Sequence, residues 1–307
     1  MPRAGIWVET MSRSFWQREG SGGIHDELQR HVKRFALWLG VFIVMAIVCL
    51  PGLWVVLNAF RSNVAILANQ SPFVASSYTF DNFRSMFGFG QMASLPIRQY
   101  FLNSVIISCV STAAALGVGV LGGYAFARFE FRRKNFLFVL LMLTRAIPGI
   151  ALSLPIFMLW AWTGLLDTRI GVIIVYLAMN VPFTVWLIDG FFREVPVELS
   201  QAAQIDGCSR WQAFWKVELP LARSGIASAG IFAFLTSWNE FAIATQLCRS
   251  PDTKTLPVGL MDFTAQFSVD WAGMCAMAVV IIVPAVVLTF IVQKHLIAGL
   301  TLGGVKG

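Results

Sequence analysis

Six stretches of this 307-residue chain are long, apolar and nearly free of charge. Crossing roughly 30 Å of hydrocarbon at 1.5 Å per residue takes about 20 residues, and each stretch reaches that length. The clearest, 35–60, runs 26 residues without Asp, Glu, Lys or Arg; the others are 101–127, 135–160, 170–191, 222–247 and 271–292. Inside lipid every backbone N–H and C=O must find a partner within the protein, so such runs become helices. Composition agrees: 57% of residues are hydrophobic and only 13% charged, with a mean hydropathy of +0.71. The expected fold is all-α: a polytopic membrane protein with six transmembrane helices and both termini on one side.

Basic residues say which side. The N-terminal segment, the tail and the loops that share their side carry 16 Lys and Arg, whereas the opposite loops carry 6. Basic residues concentrate on the cytoplasmic face, so the termini are expected there. The net charge of +7 is therefore a topology signal, not a nucleic-acid footprint. Residues 1–34 read as a polar cytoplasmic segment without the apolar centre of a cleaved signal peptide. Residues 35–307 read as one membrane domain. The five cysteines are scattered and form no C-x-x-C pair, which argues for packing rather than a disulfide framework or metal site.

One cytoplasmic loop, about 194–221, is only half apolar and has its own helical signals. Pro196 precedes an expected helix over 198–205, and Gly207 is suited to the left-handed turn that ends it. Ser209 caps a second expected helix, 211–217, which should stop before Pro220. Ala202 and Ala203 give this knob a small-residue face that lets a partner's backbone approach. The second span has its own small-residue stripe, Gly117, Gly119, Gly122 and Gly123, with Gly119 and Gly123 four apart, which favours close helix packing in lipid.

Chemical motifs are lacking. The chain contains no G-x-x-x-x-G-K-[ST] phosphate loop, no metal-ligand spacing around His25, His31 or His295, and no G-x-S-x-G elbow. No catalytic residue and no metal ligand is assigned. Three ionisable residues lie within spans: Arg145, Asp189 and Glu240. A charge at mid-membrane costs about 3 kcal/mol on insertion scales, so each should face protein or a water-filled cavity. Asp189 lies near the cytoplasmic end of its span. Arg145 and Glu240 either pair as a structural salt bridge or, with Trp238 and Asn239, line a polar translocation path suited to sugars.

Ala202, Ala203, Asp206, Gly207, Leu219 and Pro220 resemble the EAA loop of permease subunits of bacterial ABC importers. More of the chain resembles the carbohydrate-importer branch: TFDNF at 79–83, NS at 103–104, GYAFAR at 123–128, PG at 148–149, GLLDT at 164–168, SWNEF at 237–241, LPVGL at 256–260 and GLTLGGVKG at 299–307. The likeness, to the smaller permease of the maltose type, covers roughly residues 36–307. It implies a multi-pass protein of the bacterial cytoplasmic (inner) membrane that moves a sugar, an oligosaccharide or disaccharide, into the cell. A glycerol-phosphate or polyol importer of the same branch is the alternative, and a secondary transporter is the alternative from another class.

The resemblance also implies partners. These are a second permease, two ATPase subunits that carry ATP and Mg, and an extracytoplasmic sugar-binding protein, with membrane lipid around the spans and no nucleic acid. The chain itself would hold no cofactor and would not be an enzyme. The loop residues Glu198, Gln201, Ala202, Ala203, Asp206, Gly207, Leu219 and Pro220 would form the coupling helix that docks on the ATPase. Gln201 stands where the loop's name-giving glutamate is expected; it keeps hydrogen-bonding capacity without the charge, and Glu198, three residues earlier on the same face, offers a carboxylate.

Overall fold

The computed structural model describes residues 23–73, 77–86, 95–264 and 269–303. Most of the N-terminal segment, residues 1–22, lies outside them. The helices that matter below are α1 (Gly23–Ala59), α2 (Ile97–Arg128), α3 (Lys134–Leu143), α4 (Gly149–Thr163), α5 (Arg169–Glu194), α6 (Val197–Ile205), α7 (Arg210–Ala213), α8 (Arg223–Trp238) and α9 (Trp271–Gly303). No strand occurs among the described residues; only two isolated bridges do, Arg61 with Tyr78 and Thr264 with Val269.

Residues 23–55 form one compact unit and residues 56–307 a second. In the first, the helix begins at Gly23 and continues through the polar 26–34 stretch and Pro51 without a break. The described end of the polar segment thus forms the first turns of the helix that carries the first span.

Within the second unit, α2 and α5 make the most extensive helix pair, with α8 packed on both and α9 on α8. Glycine explains how close α2 and α5 come. A Cβ on Gly119 would collide with Thr184, and one on Gly123 would lie 2.8 Å from Ile188 Cγ2 and 2.9 Å from the Asp189 backbone nitrogen. Such approach is what small-residue stripes permit in lipid, where packing rather than water exclusion drives association. A buried polar node ties the same three helices together: Asn180 donates to Ser237 Oγ (2.8 Å), and Ser237 and Ser111 hydroxyls lie 3.1 Å apart.

Among the described residues four helices are long and apolar enough to cross a membrane alone, and two bent helix pairs bring the number to six where each pair counts as one span. The third span turns by 92° between 134–146 and 149–163. Pro148 explains this break: it lacks an N–H and forces Ile147 into extended backbone (φ −77°, ψ 122°). The fifth expected span is helical over Arg223–Trp238 and meets the preceding 210–221 segment at 73°, so the expected 222–247 run is shorter as a helix. Residues 244–247 form a separate turn (Ala244–Leu247).

Candidate functional site

The half-polar loop folds as an exposed two-helix knob. Pro196 drives Val195 into extended backbone (φ −74°, ψ 121°), which ends α5 and starts α6 one residue later. Cys208 N–H donates to Ala203 O (2.9 Å) and Gly207 N–H to Gln204 O (3.1 Å), a Schellman closure that places Gly207 at φ +93°. Ser209 then forms a capping box with Gln212.

The second helix departs from the sequence reading. It does not stop before Pro220 but widens into a π turn over Phe214–Glu218 and runs on through Leu219–Leu221. Proline supplies no N–H for an i−4 bond, and the wider turn, in which Leu219 N–H reaches back to Phe214 O, accommodates its ring.

Glu198, Gln201, Ala202, Asp206, Gly207 and Pro220 are exposed, whereas Ala203 and Leu219 are half-buried. Sequence reasoning missed the apolar side chains beside them. Ile205 at the tip is 86% exposed, and Trp211 and Trp215, one turn apart, also face outward. An isoleucine held open at the end of a capped helix has the form of a residue that fits a partner's pocket.

The base of the knob is the reverse, buried and charged. Arg128, the last residue of α2, donates from Nε to Glu218 Oε2 (2.6 Å) and from Nη2 to the Val195 carbonyl (2.7 Å). Tyr124 places its hydroxyl 3.4 Å from Glu218 Oε1 and its ring against Phe214 and Phe192. Glu218 belongs to no motif in the sequence, and Arg128 enters one only as the last residue of GYAFAR at 123–128. The signal was there, in a basic residue ending one span and an acid just before the Leu219–Pro220 pair.

The four candidate path residues do not converge. Trp238 is buried, stacks on Phe234 and donates its indole N–H to Ile281 O (3.0 Å), so it belongs to the core and lines no open surface. Asn239 is exposed and returns its amide to Leu235 O (2.9 Å). Glu240 accepts from the N–H groups of Ile243 (2.8 Å) and Ala244 (2.9 Å) and from the Tyr176 hydroxyl (3.0 Å). Its carboxylate thus caps the Ala244–Leu247 turn, the role that oxygen side chains play at helix starts. Arg145 sits at the break of the third span. It donates to Met179 O (3.2 Å), lies 5.3 Å from the Phe183 ring centre and leaves its guanidinium exposed. The Arg145–Glu240 salt bridge considered from sequence is not formed, because each group has other partners.

The far ends of the spans are clasped by a second carboxylate. Asp167, in the left-handed region at φ +55°, accepts from the Thr253 hydroxyl and from the N–H groups of Arg249 (2.8 Å) and Ser250 (3.0 Å). Burial opposes its ionisation, but these donors outweigh it and hold the carboxyl down to about 2. Asn103 joins the clasp by donating to Pro251 O and Lys254 O. Burial, followed by the charge of Asp167, pushes the nearby Cys248 thiol up to about 12, so it is an inert packing group.

Residues 117–301 match the family described as "Binding-protein-dependent transport system inner membrane component". The chain belongs to that family. A probable ABC transporter permease protein of Sinorhizobium fredii is 35% identical over 277 residues, covering 89% of this chain and 96% of that one. The trehalose transport system permease protein SugB of Mycobacterium tuberculosis is 34% identical over 267 residues, covering 86% and 95%. In fold, the chain resembles the crystal structure of a bacterial ABC transporter involved in the import of the acidic polysaccharide alginate, with a TM-score of 0.71, 20% identity, and coverage of 89% of this chain and 98% of that one. The permease is a multi-pass, non-catalytic inner membrane component, and its matched region takes in α5, the knob and α8 whole.

Proposed function

We propose that this permease carries a sugar, an oligosaccharide or disaccharide, inward across the membrane, driven by a separate ATPase that engages the knob at 196–220. The observation that carries the reading is the knob: a capped helix pair whose tip residues are exposed and whose base is fixed to two spans. A loop with no partner gains nothing from holding Ile205, Trp211 and Trp215 in water. The trehalose permease and the alginate importer support a saccharide substrate.

In this reading two ATPase subunits hold ATP and Mg, and a second permease completes the pathway. An extracytoplasmic binding protein delivers the sugar. An open apolar groove of about 680 Å³ between α2 and α8, lined by Leu116, Pro220, Ile226 and Gly230, supports an apposed permease. The side of the basic loops supports cytoplasmic termini. Glu198, Gln201, Ala202, Ala203, Asp206 and Gly207 contact the ATPase, and Leu219 with Pro220 shapes the return into the membrane.

Ala202→Trp tests this directly, because the side chain is exposed and the change leaves the fold's interior untouched. Cells carrying it should insert the protein at ordinary levels but lose sugar uptake by about 10-fold or more, as for a disrupted interface centre. Uptake at the unaltered rate would remove the knob from the coupling path.

A further inference from the structure

The pair at the base of the knob is buried, away from the exposed tip, and its geometry is specific. Glu218 is 1% exposed, and the Arg128 side chain 11%. A buried ion pair is weak as a source of stability, since desolvating both charges offsets their attraction. What a guanidinium does supply is a rigid planar fork that fixes two acceptors relative to each other.

Here the two acceptors lie on either side of the knob in sequence. Val195 immediately precedes Pro196 and α6; Glu218 closes the π turn after α7. One side chain, anchored at the last residue of α2, therefore holds both the entry to the loop and its exit. The surroundings restrict any slack. The Tyr124 ring lies 4.5 Å from that of Phe214 and 5.3 Å from that of Phe192, and Arg193 of α5 donates to Phe126 O of α2 (3.2 Å). A Cβ on Gly225 would collide with the Phe191 ring, so α8 is seated equally tightly on the end of α5.

We propose that Arg128 and Glu218 form a positioning pair that makes the knob one rigid body with the end of α2, so that displacement of the knob becomes displacement of the spans. The inference rests on the knob's being the coupling element. It assigns to Arg128 a role in the yield of transport per ATP rather than in ATPase docking. Loss of the fork leaves the knob able to bind its partner but free to swing on its two connections. ATP is then hydrolysed without a matching movement of the helices.

The test uses the full transporter, with its second permease, ATPase and sugar-binding protein, in proteoliposomes, and reads sugar uptake and ATP hydrolysis in the same vesicles. R128K keeps the charge but loses the planar fork. R128M combined with E218M removes both charges and restores an apolar interior, a change that a merely structural pair tolerates. Both are expected to assemble and hydrolyse ATP while sugar moved per ATP falls by about 10-fold, the scale of a coupling-network residue.

An unaltered ratio in R128K would overturn the proposal, as would one in the double variant. If the double variant fails to assemble, R128K alone decides. Ala202→Trp in the same vesicles separates this inference from the reading beneath it. If that variant transports normally, the knob is not the coupling element. If it is inactive and R128K is normal, only the positioning pair is wrong.

Discussion

At the scale of single residues, what a charge in a span does depends on which backbone groups lie within its reach, and sequence does not give that. Glu240 could be located from sequence as an acid in an apolar stretch, but its role follows from the chain turning sharply after Trp238. That turn brings the Ile243 and Ala244 N–H groups to its carboxylate. Trp238 was equally visible as an aromatic beside polar residues, yet it turns inward to Ile281. Knob residues were more legible, because Gly207 and Ser209 act locally through turn and cap chemistry. The capping role of Glu240 has a consequence. Glu240→Ala removes the acceptor of two N–H groups and leaves the buried Tyr176 hydroxyl without its partner. A loss of about 2 kcal/mol is expected from the cap and the orphaned hydroxyl together. It should appear as a lower thermal unfolding midpoint in detergent, with the choice among sugars unchanged. An unchanged midpoint with altered sugar preference would return Glu240 to the path.

At the scale of elements, the number of spans was legible because each is a run of apolar residues, but their bends were not. Pro148 marks an interruption in the sequence, whereas the 92° turn there depends on what each half packs against. Pro220 misled in the other direction, since a π turn lets the helix pass it. The glycine stripe was read correctly as a packing surface, though not all of it packs. A Cβ on Gly117 meets nothing within 4 Å, whereas one on Gly123 meets Ile188 and the Asp189 backbone. These two positions therefore separate helix propensity from close approach. Gly123→Val should force α2 and α5 apart and destabilise the protein by about 1–3 kcal/mol, the usual range for overpacking. Gly117→Ala should be neutral or slightly stabilising, as alanine is the better helix former. Thermal unfolding of the two purified variants checks the pair, and equal midpoints would mean that the α2–α5 contact yields easily.

At the scale of the whole molecule, both ends of α8 are held by ionised groups that bridge distant parts of the chain. The Arg128–Glu218 pair serves the knob end, and Asp167 with Asn103 clasps the loop that follows α8 at the other. Stiff ends around a glycine-packed centre suit a helix bundle that tilts as units rather than deforming locally. This arrangement requires the two loops to lie on opposite sides of the membrane, because a single span separates them. Under the orientation proposed above from the basic loops, the knob lies inside and the 248–255 loop outside. In a protein whose five cysteines are first replaced by alanine, Asp206→Cys and Asp252→Cys each put a thiol on an exposed loop position. A membrane-impermeant maleimide added to intact cells, with the outer membrane permeabilised where one is present, should label Asp252→Cys and spare Asp206→Cys, which reacts only after lysis. The reverse pattern would turn the bundle over and put the knob out of reach of any cytoplasmic ATPase. Labelling of both before lysis would mean that 222–247 is not a span, and the six-span count would fail with it.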